Sequence, residues 1–181
     1  MPAPDSTNAS NRPKTGADPR PELLLGIDPG LNCTGYALVQ RGERGPLLSE
    51  GGVVRSTAKR SLTERVGEIG SGIDEVLEEF RPDVLAIEQV FSNPRNPKTV
   101  ILMAHARGAI LFAASRHKVP VVSYTPAQIK RLLTGSGRAG KEQMQHAVKA
   151  ELGLSRVLEP NDVADACAVA LCHYHSTRIP V

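Results

Sequence analysis

The 181-residue chain contains no tryptophan, three phenylalanines and three tyrosines, so aromatic residues make up only 3% of it. Aromatic packing therefore does not organise the core, and a ring outside an apolar run needs a separate reason. Cysteine is equally scarce. Cys33, Cys167 and Cys172 are odd in number and form no CxxC pair, which argues against a disulfide framework or a cysteine-built zinc site and for reduced thiols. No apolar run approaches the ~18 residues of a membrane span, and the N-terminus lacks the apolar centre of a signal peptide, so a cytoplasmic protein without a membrane partner is expected. Neither sign of charge dominates. A net +3 permits a nucleic-acid partner without demanding one, and the distribution of charge must decide.

What remains is ordinary for a globular protein: 40% apolar and 23% charged residues, enough for one domain with a sizeable core. Residues 1–22, rich in Pro, Ser, Asn and Thr, read as a disordered tail. The apolar runs "LLLGID", "GYALVQR" and "LLSEGGVVRS" predict three strands in a meander. From Leu62 to Phe80 the apolar positions step by three and four, which predicts an amphipathic helix despite Gly67, Gly70 and Gly72. A continuously apolar strand, "DVLAIEQV", follows, then a long helix over about 99–117, the strand "VPVVSY", and helices over 126–133, 141–152 and from Asn161 onward. Three strands and then alternating helix and strand describe an α/β domain with a mixed sheet flanked by helices, over 23–175, with a short tail at 176–181. Functional groups belong at the carboxyl ends of its parallel strands.

Four acids stand in places that ask for an explanation. In "NDVADACAVA", Asp162 and Asp165 share one helix face inside a segment otherwise small and apolar. One reading makes Asn161 the N-cap and the aspartates first-turn anions favoured by the helix dipole. That suits Asp162 better than Asp165, which needs a partner if buried; a metal ion is one. Asp28 ends the first strand before Pro29-Gly30, where a turn-initiating aspartate is also at home. Glu88 interrupts "VLAIEQV" with no base beside it. Were these four to converge, two divalent cations would neutralise them and suit phosphodiester cleavage, and oxygen ligands without His or Cys favour Mg²⁺ or Mn²⁺.

"GIDPG" at 26–30, "AIEQVF" at 86–91, the Gly135-x-Gly137-x-Ala139-x-Lys141 pattern and Asp162-x-Ala164-Asp165-Ala166 together resemble the RuvC family of Holliday-junction resolvases. The resemblance spans about Leu23 to Tyr174. It implies a ribonuclease-H-like fold in a single domain and a homodimer. It also implies metal-dependent symmetric nicking of four-way DNA junctions handed on by the RuvA and RuvB branch-migration proteins. By matching motif, the family's catalytic, metal-binding acids fall on Asp28, Glu88, Asp162 and Asp165. Other readings of the same residues are a nuclease for structured RNA, a non-catalytic junction binder, and an actin-like ATPase using "GIDPG" as a phosphate turn.

The basic residues divide between two loops. Phe91 opens a polar segment with Arg95 and Lys98; it is either strand-end core filler or a face on which a base stacks. Gly135 to Lys141 satisfies GxxxxGK, but Glu142 replaces the Ser or Thr of a P-loop and a helix precedes it, so nucleotide binding is rejected. Exposed glycine amides with Arg138 and Lys141, extended by Lys130 and Arg131, suit DNA phosphate. His173 and His175 sit at a helix end that favours cations, and His105 is expected in a core or interface.

The stacking reading of Phe91 yields a clean test. Phe91→Ala is expected to leave the melting temperature in place while junction cleavage falls five- to a hundredfold, matching the ~1–3 kcal/mol of a base stacked on an aromatic face. Phe91→Trp should recover part of it. A large drop in melting temperature with normal activity per folded molecule would assign Phe91 to the core.

Overall fold

The apolar run Leu23 to Ile27 is buried along its whole length, which makes Leu23–Asp28 (β1) the middle strand of the sheet. A computed structural model describes residues 20–90 and 97–177. Cys33–Arg41 (β2) and Pro46–Arg55 (β3) complete the expected meander, antiparallel throughout. Val84–Glu88 (β4) and Val121–Tyr124 (β5) join on the other side in parallel, giving the order β3-β2-β1-β4-β5.

Side-chain alternation divides the core into two layers. Leu25, Ile27, Leu38, Leu85 and Ile87 face one way, under Leu62–Phe80 (α1) and Pro97–Arg116 (α2). Ala37, Val39 and Ala86 face the other way, under Pro126–Thr134 (α3), Lys141–Glu151 (α4) and Asn161–Ser176 (α5). Helix α5 is buried nearly all round: it lies directly on the sheet, and α3 and α4 cover its outer side. Its composition of Ala, Val, Cys and Leu follows from that position.

Helix α5 comes close because the strands beneath it carry glycine. A Cβ at Gly26 would lie 2.2 Å from the Ala166 carbonyl oxygen, and one at Gly35 would lie 2.0 Å from that of Asp162. Both contacts are with backbone, which cannot rotate out of the way. Capping boxes fix two of the other helices, Ser61 with Glu64 at α1 and Thr125 with Gln128 at α3. Left-handed Gly135 (φ 76°) ends α3.

Several expectations shift. Pro160, not Asn161, occupies the cap position of α5, and Asn161 is the first helical residue, accepting a bond from Gln145 Nε2 (2.5 Å). His173 is buried and hydrogen-bonded to Tyr124 Oη (2.8 Å); burial lowers its pKa, so it is a neutral core group instead of a helix-end cation. His175 instead pairs with Glu151 (2.7 Å). His105 is exposed in the single chain and is no part of the core. The chain is tied down slightly before Leu23: Arg20 pairs with Asp83 (3.3 Å), and Arg41 Nε with Glu22 (2.7 Å). The rest of the expected tail, 1–19, and residues 178–181 lie outside the described residues.

Gly26→Ala is expected to destabilise the fold by about 1–3 kcal/mol, the usual cost of overpacking, read from denaturant unfolding with an unchanged slope. A variant as stable as wild type would show that α5 can lift from β1 at no cost.

Candidate active site

Asp28 and Glu88 end two neighbouring parallel strands. Ile27 pairs with Ile87, so the acids that follow emerge side by side at the carboxyl edge of the sheet. Helix α5 starts over the same edge. Its first turn presents Asp162, and Asp165 follows one turn on; the contact at Gly35, the register partner of Asp28, holds this end down. The four acids singled out in the sequence are thus brought together from three elements.

Asp28, Glu88 and Asp165 line one cavity of about 280 Å³ with Lys130, Lys141 and Met144, while Asp162 stands at its margin, towards Cys33. The lysines supply the cation missing from the sequence near α5: Lys141 Nζ lies 3.9 Å from Asp165 Oδ2. That pair is well exposed and contributes little to stability. It does not balance the acids. Burial, then the charges of Asp165 and Asp162, push the Asp28 carboxyl up to about 7 against the pull of Lys141. Burial, then Asp28 and Asp165, push Glu88 up to about 7, opposed by Lys130. Asp165 is raised by burial, with Lys141 acting the other way.

An all-oxygen donor set of this kind fits a hard divalent cation such as Mg²⁺ or Mn²⁺. The backbone holds the carboxylates as neighbours without closing them on a common point: among the described residues, no three His, Cys, Asp or Glu side chains are gathered tightly enough to cage an ion.

The remaining residues expected to meet DNA are spread around this cavity. Lys130 and Lys141 line it; Arg131 and Arg138 are exposed on α3 and in the loop before α4, and Lys98 is exposed in the first turn of α2. The loop at 134–141 joins two helices, as the rejection of a P-loop requires. Phe91 and Arg95 lie outside the described residues.

Two neighbours of the site were not foreseen. Arg107 of α2 donates to the Glu88 carbonyl oxygen (3.3 Å) and to Ser123 Oγ (2.7 Å), tying together the ends of β4 and β5. Its position on the half-buried side of an apolar helix was the available signal. Cys33 feels the charges of Asp162 and Asp28, a proximity created by the antiparallel return of β2 and invisible in the sequence.

The family model for the crossover junction endodeoxyribonuclease RuvC matches residues 24–173. A relative of that name from Rhodopirellula baltica is 48% identical over 158 residues, covering 87% of this chain and 89% of its own. The structure of Thermus thermophilus RuvC in complex with Holliday junction substrate superposes with a TM-score of 0.80 at 37% identity, covering 87% of this chain and 95% of that one. The yeast mitochondrial Holliday junction resolvase shares the fold alone, at 15% identity and a TM-score of 0.61 over 84% of this chain and 78% of its own.

The crowding of the acids sets a pH dependence. A carboxyl with a raised folded pKa keeps a proton that the unfolded chain has released, so stability falls as pH rises from the ordinary 3.8 to about 7 for Asp28. Asp28→Asn removes that penalty. Without divalent metal at pH 8 the variant is expected to be more stable than wild type by on the order of 1–3 kcal/mol, and the difference should shrink towards pH 5. Thermal unfolding across that range checks it; a variant less stable than wild type at pH 8 would show that Asp28 is not crowded by its neighbours.

Proposed function

The chain belongs to the RuvC family of crossover junction endodeoxyribonucleases, and on that premise we propose that Asp28, Glu88, Asp162 and Asp165 form the catalytic, metal-binding site with which it resolves Holliday junctions. The enzyme is a nuclease, a phosphodiester hydrolase. The observation that carries the site assignment is the gathering of the four carboxylates at one sheet edge, two of them raised to about 7 by burial and mutual repulsion. Groups in that condition have a use for bound positive charge.

Mg²⁺ or Mn²⁺, two per site, would be held by these four acids and would supply Lewis-acid activation of water and stabilisation of the leaving oxygen. The protein's own part is positional. β1 and β4 fix Asp28 and Glu88 at a common height, and α5 sets Asp162 and Asp165 opposite them. Lys130 and Lys141 offer charge to the phosphates of a strand laid in the cavity. Arg131, Arg138, Lys98 and Arg95 extend that contact, and Phe91 stacks on an unpaired base near the crossover.

Symmetric nicking of a two-fold junction calls for a two-fold protein. The outer face of α2 supplies a surface for it: Ile101, Leu102 and Phe112 are exposed, Phe112 by 68%, beside a groove lined by Gly67, Gly70 and Ala109. A homodimer joined there carries one active site for each of the two strands cut. RuvA and RuvB are the partners the family reading brings with it. Neither the structured-RNA nuclease nor the ATPase reading draws support from the relatives matched.

A four-way junction, a linear duplex and an RNA hairpin, each incubated with the protein and with Mg²⁺, Mn²⁺ or no metal, test the assignment. Cutting is expected for the junction alone, in paired strands, and only with metal. Asp162→Asn keeps the shape of the side chain and removes its charge, so cutting should fall by roughly a hundredfold or more while junction binding holds or tightens. Wild-type cutting rates in this variant would overturn the metal assignment.

A further inference from the structure

The carboxyl edge of the sheet does not end at the acids. Along the order β3-β2-β1-β4-β5, that edge presents Arg55, Cys33, Asp28 and Glu88 in turn, and Lys130 of α3, the helix that follows β5 in the chain, lines the cavity at Asp28 and Glu88. Arg55 is the register partner of Cys33, and the charges of both Arg55 and Asp162 reach the Cys33 thiol. Asp28 pairs with Gly35 and Gly35 with Val53, so Arg55 lies two strands across and two residues along from Asp28, a backbone separation of roughly 12 Å at a strand spacing of ~4.8 Å and a rise of ~3.3 Å per residue. The acids therefore have positive charge on two sides: Lys130 and Lys141 on one, Arg55 and the segment after it on the other.

That segment, 55–61, is firmly built. Ser56 donates from its amide to the Asn32 carbonyl oxygen (3.2 Å) and from Oγ to that of Leu31 (2.5 Å), next to the turn that follows Asp28. Arg65 reaches from α1 to Ser56 Oγ (3.0 Å) and to Asn32 Oδ1. Glu68 accepts from the Thr57 amide (2.6 Å) and pairs with Arg60 (2.8 Å). Arg60 and Arg65 are thus spent on buttressing. Arg55 and Lys59 are exposed and make no hydrogen bond or ion pair among the described residues.

We propose that this ledge is a second phosphate-binding surface of the active site, where Arg55 and Lys59 hold the scissile DNA strand on the side of the acids opposite Lys130 and Lys141. The inference rests on the nuclease reading and extends it to the path of the strand. A phosphodiester presented to four carboxylates is repelled by them until metal is bound, so the strand has to be gripped through phosphates flanking the cut. A grip on one flank leaves the strand free to pivot; a grip on both fixes the reacting phosphate over the acids. That separation sets Arg55 beside a phosphate flanking the cut instead of the reacting phosphate itself. Arg60 and Arg65 keep the ledge stiff, so its cations need no reordering when DNA arrives.

The test uses the full chain and a labelled four-way junction. Binding without divalent metal is measured from 50 to 200 mM salt, together with ethylation interference on the cut strand. The Arg55→Gln/Lys59→Gln double variant is expected to bind about tenfold or more weakly, with a salt slope shallower by roughly 1–2, as for one or two lost phosphate contacts. Interference should vanish on one flank of the cut and persist on the other. Arg55→Lys should keep most of the slope, since charge is what is read. Lys59→Gln, at an exposed loop position, gives half the effect without touching the sheet. If wild type nicks the junction with Mg²⁺ while the folded double variant retains slope, affinity and both flanks of interference, the ledge is overturned. Wild-type protein that fails to nick the junction is the separate result that overturns the nuclease reading.

Discussion

Everything at the acidic edge of the sheet depends on the distance between α5 and the strands beneath it. Two of the four acids belong to the helix and two to the strands, so their separation is set by how near a helix backbone can approach a strand backbone. With side chains between them, helix and sheet pack about 10 Å apart. Gly26 and Gly35 remove the intervening side chains, and backbone carbonyls of Ala166 and Asp162 fill the space. The glycines cost conformational entropy in strands where larger residues would be more stable. That cost is offset by the apolar length of α5, buried from Val163 to Tyr174 except at Asp165.

The close approach forces carboxylates together in a half-buried place, where burial and then mutual repulsion push Asp28 and Glu88 up to about 7. Lys141 and Lys130 relieve this repulsion without neutralising it. The hydrophobic core beneath pays for the arrangement, and the site stays receptive to added positive charge because its own cations are too few and too exposed to satisfy it.

Much of this was legible from residue order. Asp28 and Glu88 declared themselves by ending apolar runs where a parallel sheet exposes side chains, and Asp162 and Asp165 by intruding on a buried face. Helix α1 kept the bounds its periodicity indicated, Leu62 to Phe80, because its capping box marks the start and its apolar stripe reaches the end. What escaped was contact between distant segments. The ion pair of Lys141 with Asp165, the bonds of Arg107 to the ends of β4 and β5, and the proximity of Cys33 to Asp162 all come from tertiary folding that spacing along the chain does not encode. His173 misled because a helix end favours cations only where water reaches it; here Tyr124 and the core surround it. Pro160 displaced Asn161 from the cap because proline's fixed φ suits the non-helical residue that precedes a first turn.

The place of α5 in the chain bears on synthesis. The β1–β2–β3 meander pairs neighbours in sequence and has its partners at hand early, whereas α5 is the last of the described elements and must find β1 and β2 across more than a hundred residues. Half of the acids, and the helix that covers one layer of the core, leave the ribosome after all five strands described. A nascent or truncated chain therefore holds Asp28 and Glu88 without their counterparts. The cluster of four acids is then complete only once α5 has docked on β1 and β2, a dependence written into the order of the elements.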